Sequence, residues 1–220
     1  MIHAKPRAIQ ESGWQRTLRE AVADAATLRA ALGLPAEPAG GPATGFPVRV
    51  PAPYLARIRH GDPDDPLLRQ VLPSADEAVT APGFCPDPVG DLAAVAGPGL
   101  LQKYRGRALA VTTGACAIHC RFCFRREFPY ADQAQADPEV LLAAVAGLAD
   151  VDELILSGGD PLTLSDERID YLLGRLRGIK HVEFVRLGTK VPAVLPMRVT
   201  RSLIRVLKKH HPLWMSIHFT

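Results

Sequence analysis

Apolar residues near the start of the chain fall at helical spacing. Trp14, Leu18, Val22 and Ala25, then Leu28 and Leu32, recur every few positions with Arg16, Arg19, Glu20 and Asp24 between them. This predicts one or two amphipathic helices packed over a core. Residues 34–47 break the pattern with Pro35, Pro38, Gly40, Gly41, Pro42, Gly45 and Pro47, the composition of an irregular linker with no chemistry of its own. A short helix is expected over 53–59, with Tyr54, Leu55 and Ile58 inward, stopping at His60-Gly61. Asp62-Pro63-Asp64-Asp65-Pro66 reads as a turn, because Asp side chains accept from nearby backbone N–H groups and proline fixes φ. Residues 67–72 look helical, and 81–99, broken by Pro82, Pro86, Pro88 and Pro98, predict a surface crossing.

From Arg107 the pattern changes. Ala108-Leu109-Ala110-Val111-Thr112-Thr113 is a short apolar run ended by Gly114, as in a buried parallel strand. Asp137, Pro138 and Glu139 supply an N-cap, a first-turn proline and an acidic first turn for a helix through 148. Strands are expected over 153–156, 182–187 and 213–219, with helices over 165–176 and 200–209. Such alternation predicts an α/β fold with parallel βα units, a TIM-type (β/α) barrel or part of one. The expected division is an N-terminal helical and proline-rich region, 1–99, and a barrel of four strands over 100–220, incomplete at its C-terminal end with its last strand an open edge.

Composition narrows the class. With 220 residues, 47% of them hydrophobic and 22% charged, the chain can bury one sizeable core as a soluble protein. A net charge of +3, without a basic block or a long apolar span, gives no case for nucleic acid or membrane as partner. Residues 1–10 lack the apolar core and cleavage site of a signal peptide, so the expected location is the cytoplasm.

The candidate chemistry lies just after the first barrel strand, where Cys116, Cys120 and Cys123 share one short loop. Thiolates suit iron–sulfur clusters, zinc and copper, and three on one loop can hold a metal centre while leaving one corner open. A structural zinc site wants a fourth ligand, and Cys85 stands alone among prolines while His119 sits between the first two cysteines. Disulfides cannot pair three clustered thiols. The neighbouring Arg121, Arg125 and Arg126 predict lowered thiol pKa values and thiolate character. In a barrel, active groups gather where strands end. Ser157, Gly158, Gly159 and Asp160, then Gly188, Thr189 and Lys190, then His218 also fall at such ends.

Cys116-x3-Cys120-x2-Cys123, with Phe122 before the third cysteine, resembles the signature of the radical S-adenosylmethionine (SAM) enzymes. Cys123-Phe124-Arg125-Arg126 followed by Glu127-Phe128-Pro129-Tyr130 resembles the lysine 2,3-aminomutase group. The stretches from His60 to Leu72 and from Pro98 to Tyr104 are similar to the aminomutases that serve β-lysylation of elongation factor P. The resemblance implies a [4Fe-4S] cluster on Cys116, Cys120 and Cys123, with SAM on the fourth iron. It places SAM against Phe122, Ser157, Gly158, Gly159, Asp160 and His218, with Asp160 in the part of the motif that takes the SAM amino group.

It further implies that Arg125 binds the carboxylate of free lysine, and that Arg107 lies near the phosphate of pyridoxal phosphate (PLP), a place for which Lys103 and Tyr104 compete. The implied activity is isomerisation of L-α-lysine to β-lysine. The implied partners are an electron donor such as a flavodoxin, elongation factor P and its lysyl ligase. The family's PLP-binding lysine corresponds to a position downstream of Thr220, so no catalytic lysine is assigned and the chain is expected to be a fragment of a longer protein. A catabolic lysine 2,3-aminomutase, another radical SAM enzyme, an inactive metal-binding remnant and a homo-oligomer stay open at this point.

Overall fold

The computed structural model describes residues 13–36, 45–133 and 137–219. Among the described residues six strands lie side by side in sequence order: β1 (Val95–Gly97), β2 (Leu100–Tyr104), β3 (Arg107–Thr113), β4 (Glu153–Gly158), β5 (Phe184–Thr189) and β6 (Trp214–Ile217). The pairs β3/β4, β4/β5 and β5/β6 are parallel, with Ala110 opposite Leu156, Leu156 opposite Leu187 and Leu187 opposite Met215. The crossovers carry α5 (Pro138–Gly147), α6 (Asp166–Leu176) and α8 (Arg201–Lys209), so the chain forms a partial (β/α) barrel after an N-terminal helical region.

Each crossover helix starts where its sequence offers a cap. Asp137 accepts from Glu139 N at 2.9 Å with Pro138 in the first turn, Ser165 from Arg168 N at 3.3 Å and Thr200 from Leu203 N at 3.0 Å. Ala108, Ala110, Leu154, Leu156, Val185 and Leu187 are buried and alternate along their strands, packing into one core with Leu141, Leu142, Val145, Ile169, Leu173 and Leu203. Fully burying one such leucine is worth roughly 2 kcal/mol. The other face of the sheet carries the register row Leu109, Ile155, Arg186 and Trp214. β6 ends the sheet as an edge strand, and all its residues are exposed.

The N-terminal region is part of the same core. It holds α1 (Gly13–Arg19), α2 (Ala25–Ala31) and the single turn α3 (Ala52–Leu55), which is shorter than its sequence suggests. Trp14, Leu28, Val50, Tyr54 and Leu68 belong to the buried cluster that includes Leu154 and Leu187. Asp62 and Asp65 cap a turn as their sequence predicts, accepting from Asp64 N at 2.9 Å and Leu67 N at 2.8 Å respectively. Most of the proline-rich linker, residues 37–44, lies outside the described residues, as does Thr220.

One element departs from the expected surface crossing. β1 and β2 form an antiparallel hairpin on the open side of β3, so the sheet begins at Val95, before the 99/100 boundary. Its strands are short and meet at Gly99, with φ at +71°, which left no alternating run to read. The short helices α4 (Tyr130–Gln133) and α7 (Val191–Val194) follow the cysteine loop and β5.

Candidate active site

At the C-terminal ends of the parallel strands lies a cavity of about 600 Å³. Its wall includes Cys116, Cys120 and Cys123 from the loop after β3, the Ser157–Asp160 segment at the end of β4, Thr189 and Lys190 at the end of β5, and His218 after β6. The strand-end groups expected from the sequence therefore face one space, as parallel barrel topology requires.

The Gly-Gly pair explains how these loops come so close. Gly159 N donates to Thr113 O and Asp160 N to Ala115 O, both at 2.7 Å, which clamps the β4 loop onto the start of the cysteine loop. A Cβ on Gly158 would stand 2.4 Å from Thr113 O, and one on Gly159 2.2 Å from Ala115 O. Gly158 also holds φ at +128°, which side chains disfavour. The glycines thus admit the close approach of protein backbone.

Asp160 is buried and its carboxylate is engaged on both oxygens. Oδ1 accepts from Thr189 Oγ1 at 2.6 Å and Leu162 N at 3.0 Å; Oδ2 accepts from Lys190 N at 2.7 Å and Val191 N at 3.1 Å. Burial pushes this carboxyl up from the ordinary range against the pull of those donors. Asp160 ties the β4 loop to the end of β5, which turns Lys190 toward the cysteines. Lys190 Nζ sits 4.9 Å from the centre of the Phe122 ring, and His218 meets the same ring edge-on at 6.2 Å.

The cysteine loop has little regular structure and is held from the N-terminal region. His119 N donates to Arg49 O at 3.0 Å and Arg121 N to Gln70 O at 2.8 Å. Glu77 takes Arg121 Nε at 2.8 Å and Arg126 Nη1 at 2.8 Å, with a further bond from Arg121 Nη2. Both guanidinium groups lie over the Phe46 ring, at 5.1 and 5.4 Å, and His119 packs on that ring and bonds Pro47 O through Nδ1. Tyr130 closes the far side by donating to Gly158 O at 2.7 Å.

For Cys116 and Cys120 the electrostatics reverse the sequence expectation. Burial, then Asp160 and the other two thiols, push Cys116 up to about 12. Burial also raises Cys120, opposed by Lys190. Arg121 and Arg126 pair with Glu77, and Arg125 with Asp91. Among the described residues no group of His, Cys, Asp and Glu is already set as a metal site. The cysteines nevertheless share one cavity and influence one another electrostatically, and a soft metal centre would displace their protons. This donor set fits an iron–sulfur cluster.

A second cavity of about 470 Å³ adjoins the first. Asp91, Lys103, Tyr104 and Arg107 line it, and it shares Phe124 and Arg125 with the cysteine cavity. Arg107 stands at the start of β3 and gives Nε to Glu153 at 2.5 Å; Arg186 holds the other oxygen of Glu153 at 2.6 Å. Arg125 is buried, lies 4.8 Å over the Phe124 ring and gives Nε to Asp91 at 2.6 Å.

Sequence reasoning missed Phe46, Glu77 and Asp91, and quoted Tyr130 only within a motif, with no role. Of the three missed residues Glu77 carried a local signal, as the last residue of the capping box Ser74-Ala75-Asp76-Glu77, and that signal speaks of a turn.

Comparison with known proteins agrees with this geometry. The model of the radical SAM superfamily matches residues 110–220. The chain is 47% identical over 161 residues to an L-lysine 2,3-aminomutase of Escherichia coli (strain K12), covering 72% of this chain and 47% of that protein. It is 37% identical over 212 residues to an L-lysine 2,3-aminomutase of Haemophilus influenzae, covering 94% of this chain and 63% of that one. Against the L-lysine 2,3-aminomutase of Clostridium subterminale it is 38% identical over 173 residues and covers 41% of that protein. The chain thus spans between two fifths and two thirds of the length of these relatives. With its three cysteines at the mouth of a parallel sheet and the matching segment reaching from β3 onward, the chain belongs to the radical SAM superfamily.

Proposed function

We propose that this chain provides the radical SAM portion of a lysine 2,3-aminomutase that converts L-α-lysine to β-lysine. The observation that carries the reading is the convergence of Cys116, Cys120, Cys123, the Ser157–Asp160 segment, Lys190 and His218 on one cavity, with a cationic cavity beside it. The similarity to curated L-lysine 2,3-aminomutases supports the substrate. When bound, the cluster and SAM supply the radical chemistry and PLP a carrier for the migrating amino group.

The chain's residues divide the remaining work. Cys116, Cys120 and Cys123 would hold the [4Fe-4S] cluster, and the arginine clamp on Glu77 keeps their loop against the N-terminal region. Phe122, Ser157, Gly158, Gly159 and His218 would form the SAM wall, with Asp160 fixing that wall through Thr189 and Lys190 N. Arg125, at the boundary of the two cavities, would bind the lysine carboxylate through its planar guanidinium. Lys103, Tyr104 and Arg107 would offer the second cavity to the PLP phosphate. The PLP-bearing lysine is assigned to no residue of this chain.

We further infer a role in supplying β-lysine for elongation factor P, with a flavodoxin-type electron donor, on the likeness of the His60–Leu72 and Pro98–Tyr104 stretches to that subgroup. This places the work in the cytoplasm. No described helix is long and apolar enough to cross a membrane.

Anaerobic reconstitution with iron and sulfide, followed by EPR of the reduced protein with and without SAM, tests the reading. A [4Fe-4S] signal that SAM perturbs, lost in Cys116→Ala, Cys120→Ala and Cys123→Ala, is expected. A zinc-loaded, EPR-silent protein whose metal content ignores those substitutions would overturn it.

A further inference from the structure

Asp91 has no part in the reading above, yet it lines the second cavity and holds Arg125, which lines both. Its side chain is almost wholly buried, and each oxygen meets a different cation: Oδ2 accepts from Arg125 Nε at 2.6 Å, and Oδ1 meets Lys103 Nζ at 2.5 Å. The turn that carries it is also fixed. Asp87 accepts from Asp91 N at 2.8 Å and Leu92 N at 2.9 Å, and Val89 O accepts from Lys103 Nζ at 2.5 Å. Arg125 lines both cavities, whereas Lys103 lines only the second.

The consequence lies in how Arg125 is held. Among the described residues the only hydrogen bond of its guanidinium is through Nε, to Asp91, so the Nη1/Nη2 edge is left for a second anion. A guanidinium pinned at one edge presents the other as a planar, two-pronged donor, the geometry that a carboxylate accepts. Lys103 prevents Asp91 from swinging away with it.

We propose that Asp91 is a positioning residue for substrate. It sets the guanidinium plane of Arg125 at the wall between the cavities, so that the free edge meets the α-carboxylate of an amino acid bound there. The proposal rests on the assignment of Arg125 to the substrate carboxylate. Two effects oppose each other. The negative charge of Asp91 weakens the pull of Arg125 on any anion, while its hydrogen bond removes the cost of immobilising a long side chain during binding. Positioning wins if the loss of geometry outweighs the gain in charge.

The test compares L-lysine with L-lysinamide, which lacks the carboxylate, binding to the reconstituted chain by calorimetry. The wild type is expected to prefer lysine. Asp91→Glu keeps the charge but lengthens the arm, and should weaken lysine roughly three- to tenfold, the scale of freezing one flexible side chain, with lysinamide unchanged. Asp91→Asn should do the same although it makes the site more positive. Melting temperature and iron content report whether each variant is folded, and Asp91→Glu, which preserves both ion pairs in kind, serves if Asp91→Asn is not. Lysine bound by Asp91→Glu as by wild type, or more tightly by Asp91→Asn, would overturn the proposal and leave Arg125 in place. A wild type that binds both ligands equally would remove the Arg125 assignment and the proposal with it.

Discussion

Asp160 Oδ1 accepts a 2.6 Å hydrogen bond from Thr189 Oγ1, joining the loop after β4 to the last residue of β5. Oδ2 binds the next two backbone N–H groups, of Lys190 and Val191. One buried carboxylate thereby fixes two walls of the cysteine cavity. The side chain that the family resemblance associates with the SAM amino group is committed to the protein's own donors.

Asp160→Asn is therefore expected to destabilise the fold despite its near-identical shape. An amide has one acceptor oxygen and two N–H donors, which would face the donors of Lys190, Val191 or Thr189. The expected loss is about 2–3 kcal/mol in urea unfolding, against about 1–2 kcal/mol for Thr189→Val, which removes the hydroxyl's bond to Asp160 and the longer one it accepts from Val191 N. Equal midpoints for Asp160→Asn and wild type would mean that these bonds do not hold the loops.

Glu77 gives a prediction with a sign in pH. Burial alone would raise its carboxyl, but Arg121, the Ser74 N–H and Arg126 outweigh burial and hold it below its ordinary 4.5. A depressed carboxylate contributes stability that is full above the unfolded-state value and disappears as pH falls through the folded-state value. Glu77→Gln leaves the buried Arg121 without its counter-charge, a loss of about 3 kcal/mol at neutral pH. The gap in melting temperature between variant and wild type should stay constant down to about pH 5.5 and narrow below about pH 4.5. A gap that widens in acid would contradict the assignment.

How much of this was legible beforehand follows from the range of each interaction. The β-loop-α alternation and the caps Asp137, Ser165 and Thr200 are local patterns, and the parallel strands and strand-end cysteines appear where those patterns put them. Glu77 and Asp91 act on residues 44 and 34 positions away, so nothing adjacent to them in sequence reveals their partners. Arg125 was readable as a cation in a motif, but not as one with Nε already engaged. The thiol expectation did not hold for Cys116 and Cys120, since local arginines suggested thiolates while burial, and at Cys116 next the sequence-distant Asp160, raise them.

Arg198 shows how the N-terminal region is tied to the barrel. It is fully buried, gives Nε to Leu162 O at 2.8 Å and Nη2 to Leu164 O at 2.9 Å, pairs with Asp166 at 2.6 Å and lies 4.4 Å over the Trp14 ring. Arg198→Ala would strand two carbonyls and a carboxylate and leave a void beneath Trp14, at a cost of about 3–5 kcal/mol. Arg198→Lys should recover only part of that, because one ammonium cannot match the planar fork. Trp14 fluorescence should report the loss in both variants, and an unchanged emission maximum in Arg198→Ala would show that the contact is not formed.

Gly159 offers the sharpest steric test, because space rather than charge decides it. A Cβ there would lie 2.2 Å from Ala115 O and 2.6 Å from Ala115 C, both backbone atoms that no side-chain rotation can move. Ala115 precedes Cys116, so relieving the clash must shift the first cysteine or break the 2.7 Å bond from Asp160 N to Ala115 O. Gly147, at the end of α5, has nothing within 4 Å of the same added atom. Gly147→Ala should leave stability unchanged or raise it by up to about 1 kcal/mol through helix propensity. Gly159→Ala should cost at least about 2 kcal/mol and lower iron incorporation on reconstitution. The glycine would then be required by the approach of two protein loops. Normal stability and iron content in Gly159→Ala, with only SAM binding impaired, would instead mean that it makes room for the ligand.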